Sequence, residues 1–326
     1  MRNRDLPSLA ELGSDLTYVS MPRRIASLAA PFGWCVGDLA LLDTLDTVVN
    51  THPHEDHTGN NDLLTELTRA RVLAHRDGLP DIRFPPRVPW YRSFLFGPGQ
   101  VVEAEELPDA LRTRRFRFDV VHTPGHCPGH VCLFETSNRW LFSGDLYVAP
   151  DLDTQLADVH GPAWIESLER ALGLRPTALL DGHGIVVLGE SEVRRDLELK
   201  RDFLIEIRRR VRDAAQRARS LQEIVREAFD RRSLADHLSF NDGWLSMITG
   251  SDFSRGNLAR SFLREPLPPD PGSPESGWAC WAQVMADMLG RPGPPTTRRR
   301  GLRAPPPRGR RLRAPEATGG SAPASD

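Results

Sequence analysis

The chain has 326 residues, a formal net charge of −2 and four cysteines. This length allows one large domain with a smaller appendage, and the near-neutral charge gives no global indication of a membrane or nucleic acid partner. Four cysteines without a C-x-x-C pair are too few for a disulfide framework, and the N-terminus lacks the apolar core of a signal peptide, so we expect a cytoplasmic protein. Lys200 is the only lysine, so the arginine-rich stretches indicate codon bias rather than nucleic acid binding.

Short apolar runs alternate with helical patterns from residue 1 to about 190. The patterns predict helices over 61–69 and 162–173. Runs bounded by turn residues predict strands over 45–51, 70–75, 117–123, 130–136, 139–145 and 177–184. Several of these strands end in His, Asp or Gly, and α/β folds commonly place functional sites at strand ends.

One short stretch, NTHPHEDHTGN at residues 50–60, is rich in histidine and acid. His52 and His54 are two residues apart, so on an extended segment they point to the same side. Asp56 and His57 follow where the chain must turn. Imidazole nitrogens and carboxylates suit zinc and similar divalent ions, so we interpret the stretch as part of a metal site rather than a solvated polar loop.

Further polar groups follow later strands. HTPGHCPGHV supplies His122, His126 and His130, LFSGD ends in Asp145, and LLDGHGI contains His183. Glycines beside them allow the backbone to turn tightly at each strand end.

The series THPHEDH, TPGHCPGH, SGD and GHG resembles the metallo-β-lactamase superfamily, in order and spacing, across roughly residues 45–190. The resemblance implies an α/β fold, a four-layer αββα sandwich with a metal site at one edge. It also implies zinc, two ions per chain, with iron or manganese as alternatives. By position in the motifs, the ligands would be His52, His54 and His126 for the first metal, Asp56, His57 and His183 for the second, and Asp145 between both.

The resemblance further implies a hydrolase that uses a metal-activated hydroxide. Asp56 is then the residue that would orient the nucleophile or accept its proton, in addition to binding metal. We expect an ester, thioester or related acyl bond in a small-molecule substrate. The alternatives are a phosphodiesterase or nuclease of the same superfamily, an iron-dependent sulfur oxygenase with fewer ligands, and a non-catalytic binding protein. We expect neither a membrane nor a nucleic acid partner, and the sequence leaves the oligomeric state open.

Three regions are predicted along the chain: a metallo-β-lactamase-like domain over 1–190, a helical region over 191–264, and a tail over 265–326 rich in Pro and Arg. Apolar residues recur at helical spacing from Val193 to Ala215, which predicts a stripe that packs on the first domain. Ser220 and Glu223 form a capping-box signature. The tail is predicted to be disordered, with one short helix at 278–289 as a possibility.

Several residues near the motifs have secondary predictions. His130 is expected to hydrogen-bond near the site, and Cys127 to be a buried thiol. Asp181 either orients His183 or faces solvent. Glu55 lacks a ligand role, which suggests it as an internal control for mutagenesis. His75, His160 and His237 are expected at the surface or at helix caps, and His122 at a strand end.

Two segments have alternative interpretations. The aromatic, proline-punctuated segment 79–99 is either a pocket wall that binds an apolar substrate group or a loop pinned to the core by aromatic packing. Upstream of the first motif, the superfamily usually has a strand ending in Asp-x-Gly. Here either Asp43 ends that strand or residues 33–45 form a helix, so we expect an irregular or shortened N-terminal sheet.

Overall fold

The computed structural model describes residues 16–20, 32–36, 45–96, 99–113, 115–218, 220–229 and 249–263. In chain order the strands are β1 (Leu16–Ser20), β2 (Phe32–Val36), β3 (Thr47–Val49), β4 (Arg71–Ala74), β5 (Ala104–Glu106), β6 (Ala110–Arg112), β7 (Arg117–His122), β8 (Val131–Glu135), β9 (Trp140–Gly144), β10 (Ala178–Asp181) and β11 (Val186–Leu188). The helices are α1 (Glu55–Thr58), α2 (Asn61–Thr68), α3 (Leu79–Arg83), α4 (Trp90–Phe96), α5 (Gly161–Gly173), α6 (Glu190–Ala215), α7 (Leu221–Ala228) and α8 (Arg255–Phe262).

The smaller sheet consists of the parallel strands β3, β4 and β5. Because side chains alternate along a strand, β4 contributes apolar side chains to both faces of the smaller sheet. Val72 and Ala74 pack with Ile82 of α3, whereas Leu73 packs with Val131 of the larger sheet. The smaller sheet therefore lies between a helix and the larger sheet.

The larger sheet has the order β11-β10-β9-β8-β7-β6. Leu141 and Leu179 on one face belong to the cluster that contains α5 and α6, while Val131 on the other face packs with Leu73 of the smaller sheet. Both faces are therefore covered. The layers run helix, sheet, sheet, helix, and the predicted αββα sandwich is confirmed.

The helical layer packs on the larger sheet through an apolar stripe. Leu197 and Leu204 of α6 are fully buried with Leu168 of α5 and Leu258 of α8. Ser220 caps α7, where its hydroxyl accepts from the Glu223 amide, as the sequence pattern predicts. Since the helices and the sheet share one hydrophobic cluster, the domain boundary at residue 190 stays a prediction.

Lys200 lies within this core. Its Nζ donates to the Leu152 carbonyl at 2.9 Å and lies 5.0 Å from the centroid of the Trp164 ring. Burial lowers the pKa of Lys200 to about 7, because the apolar surroundings disfavour the charged form. The only lysine of the chain is thus a buried group between α6 and the loop that precedes α5.

The N-terminal strands β1 and β2 form a separate antiparallel pair, which agrees with the expected irregularity. The interpretation of residues 33–45 as a helix is wrong at its start, because β2 extends to Val36. Asp43, His237, the helix at 278–289 and the tail lie outside the described residues. No helix within the described ranges is long and apolar enough to cross a membrane.

Candidate metal centre

The polar residues of the motifs converge on one edge of the two sheets. Strand β8 is antiparallel to β7 and β9, and β9 is parallel to β10, so β7, β9 and β10 run in the same direction. Their carboxyl ends therefore meet at one edge, and so do the loops that contain His126, Asp145 and His183. The loop after β3 is tied to this edge because the Val131 amide donates to the Thr51 carbonyl at 2.8 Å.

Three histidines form a tight triangle of rings. The ring centroids of His52, His54 and His126 lie 4.7–4.8 Å apart, with interplanar angles of 76–87°. His54 Nδ1 lies 2.9 Å from His126 Nε2. Rings placed edge-on around a common point can direct three nitrogen atoms at one ion, which is the arrangement a tetrahedral metal needs from its protein ligands.

A second group lies beside this triangle. The ligand atoms of Asp56, His57 and His183 lie within 4.8 Å of one another. Asp145 stands between the groups: Oδ1 is 3.3 Å from His57 Nε2, and Oδ2 is 3.1 Å from His183 Nε2 and 3.7 Å from His126 Nε2. The structure thus brings all seven predicted ligands together in the predicted half-sites, and their role as ligands stays a prediction.

The hydrogen bonding of these residues fits cations. His52 Nε2 is buried and makes no hydrogen bond to any residue in the described ranges, and the buried His57 Nε2 and Asp145 Oδ1 contact each other at 3.3 Å without hydrogen-bond geometry. Leaving a polar atom unpaired in a buried position costs about 1–3 kcal/mol, so such atoms clustered at one point indicate missing partners. Divalent ions, which bind lone pairs of imidazole and carboxylate, satisfy all three atoms.

The charges of the metal-free centre support the same conclusion. Burial keeps the pKa of His52 well below its ordinary value and lowers the pKa of His126 to about 4, so both rings are neutral and keep a lone pair. Although burial opposes charge, Asp56 and Asp145 raise the pKa of His57. Burial also disfavours an ionised Asp145, yet His57 and His183 hold its pKa well below the usual range. Both carboxylates are therefore ionised and attract positive charge, which His57 and His183 supply in the metal-free centre and bound cations would supply in their place.

His130 positions the shared carboxylate. Its Nε2 accepts from the Asp145 amide at 3.0 Å, and its Nδ1 lies 2.9 Å from the Thr123 hydroxyl. The ring is fully buried. Gly144 has a φ of +48°, and a Cβ there would lie 2.8 Å from His130 Nε2, so the turn before Asp145 requires glycine. The prediction that His130 hydrogen-bonds near the site is confirmed.

Asp181 orders the loop of His183. Its Oδ1 accepts from the His183 amide at 2.9 Å and from the Ile185 amide at 2.6 Å. Asp181 is fully buried, so the interpretation as a solvent-facing acid is wrong. A Cβ on Gly182 would lie 2.6 Å from both Asp145 Oδ1 and His57 Cε1. The loop approaches the centre this closely only because residue 182 has no side chain.

Glu55 has a structural role that the sequence did not indicate. It is buried on α1 and forms a two-point ion pair with Arg92 of α4. Asp252 accepts hydrogen bonds from Tyr91 and, at 3.5 Å, from Arg92. The helix that contains Asp56 is therefore tied to α4 and to the segment before α8. The suggestion of Glu55 as a neutral control is wrong.

The segment 79–99 lines a cavity beside His54. The cavity has a volume of about 270 Å³, and its walls include Pro85, Val88 and Arg92. Phe84 and Trp90 are 73% and 74% exposed, so they do not pin the loop to the core. The pocket-wall interpretation agrees with the structure, with prolines and valine as the apolar lining instead of these two aromatic rings.

The remaining histidines in the described ranges lie away from the centre. His160 caps α5, where its ring accepts from the Ala163 amide, as predicted. His122 ends β7 and stacks on His75 at 4.0 Å with an interplanar angle of 11°. The ligand atoms of His75, His122 and Asp77 lie within 4.8 Å of one another, but the lone pairs of the two stacked rings lie in nearly parallel planes, unlike the edge-on rings of the centre described above. Cys127 is buried, as predicted.

Two positioning groups have no signal in the motifs. Asn50 and Asn61 form a buried pair in which each amide donates to the other, at 2.7 Å and 3.2 Å, and they fix the ends of the motif loop. Asp158 accepts from His54 Nε2 at 2.9 Å. The one sequence signal for Asp158 is the cluster of acids in DLDTQLAD, residues 151–158, which follows β9 and Asp145.

Comparison with known protein families identifies the chain. The model of the metallo-β-lactamase superfamily matches residues 40–183, which include the whole ligand set. Residues 40–183 therefore belong to the metallo-β-lactamase superfamily. A β-lactamase domain protein from Burkholderia ambifaria has a similar fold, with a TM-score of 0.50, 18% identity, and 75% of this chain and 85% of that chain covered.

Curated members of the superfamily match parts of the chain. The probable metallo-hydrolase YflN of Bacillus subtilis is 29% identical over 177 residues, which cover 45% of this chain and 67% of that protein. A hydroxyacylglutathione hydrolase of Maricaulis maris is 29% identical over 148 residues, which cover 39% of this chain and 52% of that protein. The match thus spans about half to two thirds of the length of these relatives.

Proposed function

We propose that this superfamily member is a hydrolase that uses two divalent cations, zinc in the first instance, to cleave an acyl bond in a small molecule. The observation that carries the proposal is the pair of half-sites that share Asp145. Several neutral imidazoles and two carboxylates suit a pair of divalent ions. When bound, such ions lower the pKa of water towards neutrality and polarise the bond that is cleaved.

Exposure within the centre supports a role for Asp56 beyond metal binding. The Asp56 side chain is 19% exposed, whereas that of Asp145 is 8% exposed. Asp56 can therefore meet both a water molecule and a ligand in the cleft, and its carboxylate can orient the water or accept its proton. His183, at 29% exposure, marks the open side of the centre, so substrate approaches there.

The substrate class follows from the relatives and the cavity. Hydroxyacylglutathione hydrolases among the relatives support a thioester as the first substrate to test, with esters as the next class. The cavity of about 270 Å³ borders His54 and can hold part of an acyl or leaving group beside the centre. Its mixed lining of prolines, arginines and acids suits a substrate with both apolar and charged parts.

The alternatives have less support. The one feature of the sequence that would favour a phosphodiesterase or nuclease is the arginine-rich tail, and this tail lies outside the described residues. An iron-dependent sulfur oxygenase was expected to use fewer ligands, so the second half-site of Asp56, His57 and His183 favours the hydrolase. A non-catalytic binding protein would not need ionised carboxylates and histidines with shifted pKa values gathered at a cleft.

The test combines metal analysis with a substrate screen. We expect about two equivalents of divalent metal per chain after purification without chelators, and hydrolysis of hydroxyacylglutathione or simpler thioesters. Asp56→Asn should lower kcat by about 10²–10⁴ while metal remains bound, and Asp145→Ala should lose metal. Glu66→Ala, an exposed acid on α2, is the matched control. Less than one equivalent of metal, or an Asp145→Ala variant as fast as the parent, contradicts the proposal.

A further inference from the structure

The two nitrogen atoms of His54 face different partners. Nδ1 points into the triangle, 2.9 Å from His126 Nε2, while Nε2 points outward to Asp158 Oδ2 at 2.9 Å. A neutral imidazole has one N–H and one lone pair, and the partners decide which nitrogen has which. Because an ionised carboxylate only accepts, Asp158 retains the proton on Nε2 and leaves the lone pair of Nδ1 directed at the metal position.

His54 differs in this respect from His52. The outward nitrogen of His52, Nδ1, lies 3.1 Å from the Thr51 hydroxyl, which can either donate or accept. That contact does not fix the tautomer. Within the described ranges, His54 is the member of the triangle whose outward nitrogen meets a carboxylate, so its ring is the one with an imposed orientation and tautomer.

The loop that contains Asp158 is held by the C-terminal helices. Lys200 Nζ donates to the Leu152 carbonyl at 2.9 Å, and Arg255 Nε donates to Asp153 at 2.6 Å. The backbones of Gln155 and Ser254 exchange hydrogen bonds at 3.1 Å and 2.9 Å. Asp158 itself is 39% exposed, so packing of its own side chain does not fix it. Its position comes from these attachments of residues 152–155 to α6 and to the start of α8.

We propose that Asp158 is a positioning residue of the metal centre: it holds His54 in the Nε2–H tautomer and aims Nδ1 at the first metal. The inference rests on the proposed metal centre and goes beyond it, since Asp158 belongs to neither of the two half-sites. It also assigns a function to the helical region. Lys200 of α6 and Arg255 of α8 hold the loop that contains Asp158. The helical region thereby helps to orient His54, a predicted metal ligand from the N-terminal half of the chain.

Metal affinity of the full-length chain tests the proposal without reference to catalysis. Competition with a chromophoric chelator gives the stepwise Kd values for zinc in the parent, Asp158→Ala and Asp158→Asn. Loss of such an outer partner typically weakens metal binding about 10–100-fold, and we expect this loss for one of the two equivalents in Asp158→Ala. Asp158→Asn should lie between, because an amide can either accept from Nε2 or donate to it. Asp151→Asn, an exposed acid of the same loop, should change either Kd by less than about twofold.

The tautomer of His54 provides a second readout that a merely structural role would not change. Long-range ¹H–¹⁵N spectra of the metal-free protein, recorded at a pH at which His54 is neutral, should show Nε2–H for His54 in the parent and a mixture with Nδ1–H in Asp158→Ala, with the other histidine signals unchanged. Equal Kd values for Asp158→Ala and the parent, or an unchanged tautomer in Asp158→Ala, overturn the inference and leave the proposed hydrolase intact. A parent chain that binds no metal overturns both, so the two failures are distinguishable.

Discussion

Removing the Glu55 carboxylate should destabilise the region around the metal centre. Glu55 and Arg92 are only 11% and 15% exposed as side chains, and Glu55→Ala leaves the guanidinium without its two-point partner. Breaking one side of a buried ion pair costs about 3–5 kcal/mol. Since Asp252 remains 3.5 Å from Arg92, we expect the lower part of this range, about 3 kcal/mol. For a domain of this size that corresponds to a decrease in Tm of about 6–12 °C.

A double-mutant cycle separates this pair from general damage to α1. The Tm and the urea midpoint are measured for Glu55→Ala, Arg92→Ala and the double variant, with Glu66→Ala as an exposed control. Residues in direct contact should show a coupling free energy of about 1 kcal/mol or more. Because Glu55 precedes Asp56 on α1, the single variants should also bind less metal. Additive losses, or a Tm for Glu55→Ala within about 1 °C of the parent, would refute the reasoning.

Three further changes have defined outcomes. Gly182→Ala puts a Cβ 2.6 Å from Asp145 Oδ1 and His57 Cε1, so metal content after dialysis should fall; unchanged content would contradict the close approach. His130→Ala leaves the buried Asp145 amide without an acceptor, and the free energy of unfolding should decrease by about 2 kcal/mol or more in urea titrations. The pKa of Lys200 falls from 10.5 to about 7 on folding, so the unfolded chain binds more protons between these values and stability should rise with pH across that window. Lys200→Met should abolish that rise, which is about 2 kcal/mol between pH 7 and 9; parallel pH profiles of parent and variant would argue against the lowered pKa of Lys200.

The sequence predicted the long, strongly periodic elements well. The helix predicted over 162–173 is Gly161–Gly173, and the strand over 117–123 is Arg117–His122. Strands β5, β6 and β11 were not predicted, because their three residues each cannot establish a period-two pattern. Strand β3 is as short but lies in the longer run 45–51, which ends at turn residues. Helix α1 was predicted as a turn for a similar reason, since its four residues form a single helical turn. All four are polar, so the segment has no apolar periodicity that could indicate a helix.

The predicted metal ligands could be found from the sequence because they occur in motifs. The residues that position them could not, because they are far from the ligands in sequence. The seven predicted ligands gather at one edge because each motif follows a strand end. Asp158 is 104 residues from His54, and Arg92 is 37 residues from Glu55. Such pairs depend on how loops cross in three dimensions, which local periodicity does not encode. The sequence left open whether the aromatic side chains of segment 79–99 pack on the core, and the exposure of Trp90 and Phe84 could not be inferred from composition.

The position of Lys200 has a chemical consequence for work with this protein. It is the only ε-amine in the chain and is fully buried, so an acylating reagent at neutral pH can reach it only when the core between α5 and α6 opens. Because no other lysine competes, the mass gained at residue 200 against time measures the opening rate of that core when acylation is faster than reclosing, and the open population when it is slower. Amine-directed cross-linking and immobilisation, in turn, have no native lysine to use on the folded protein.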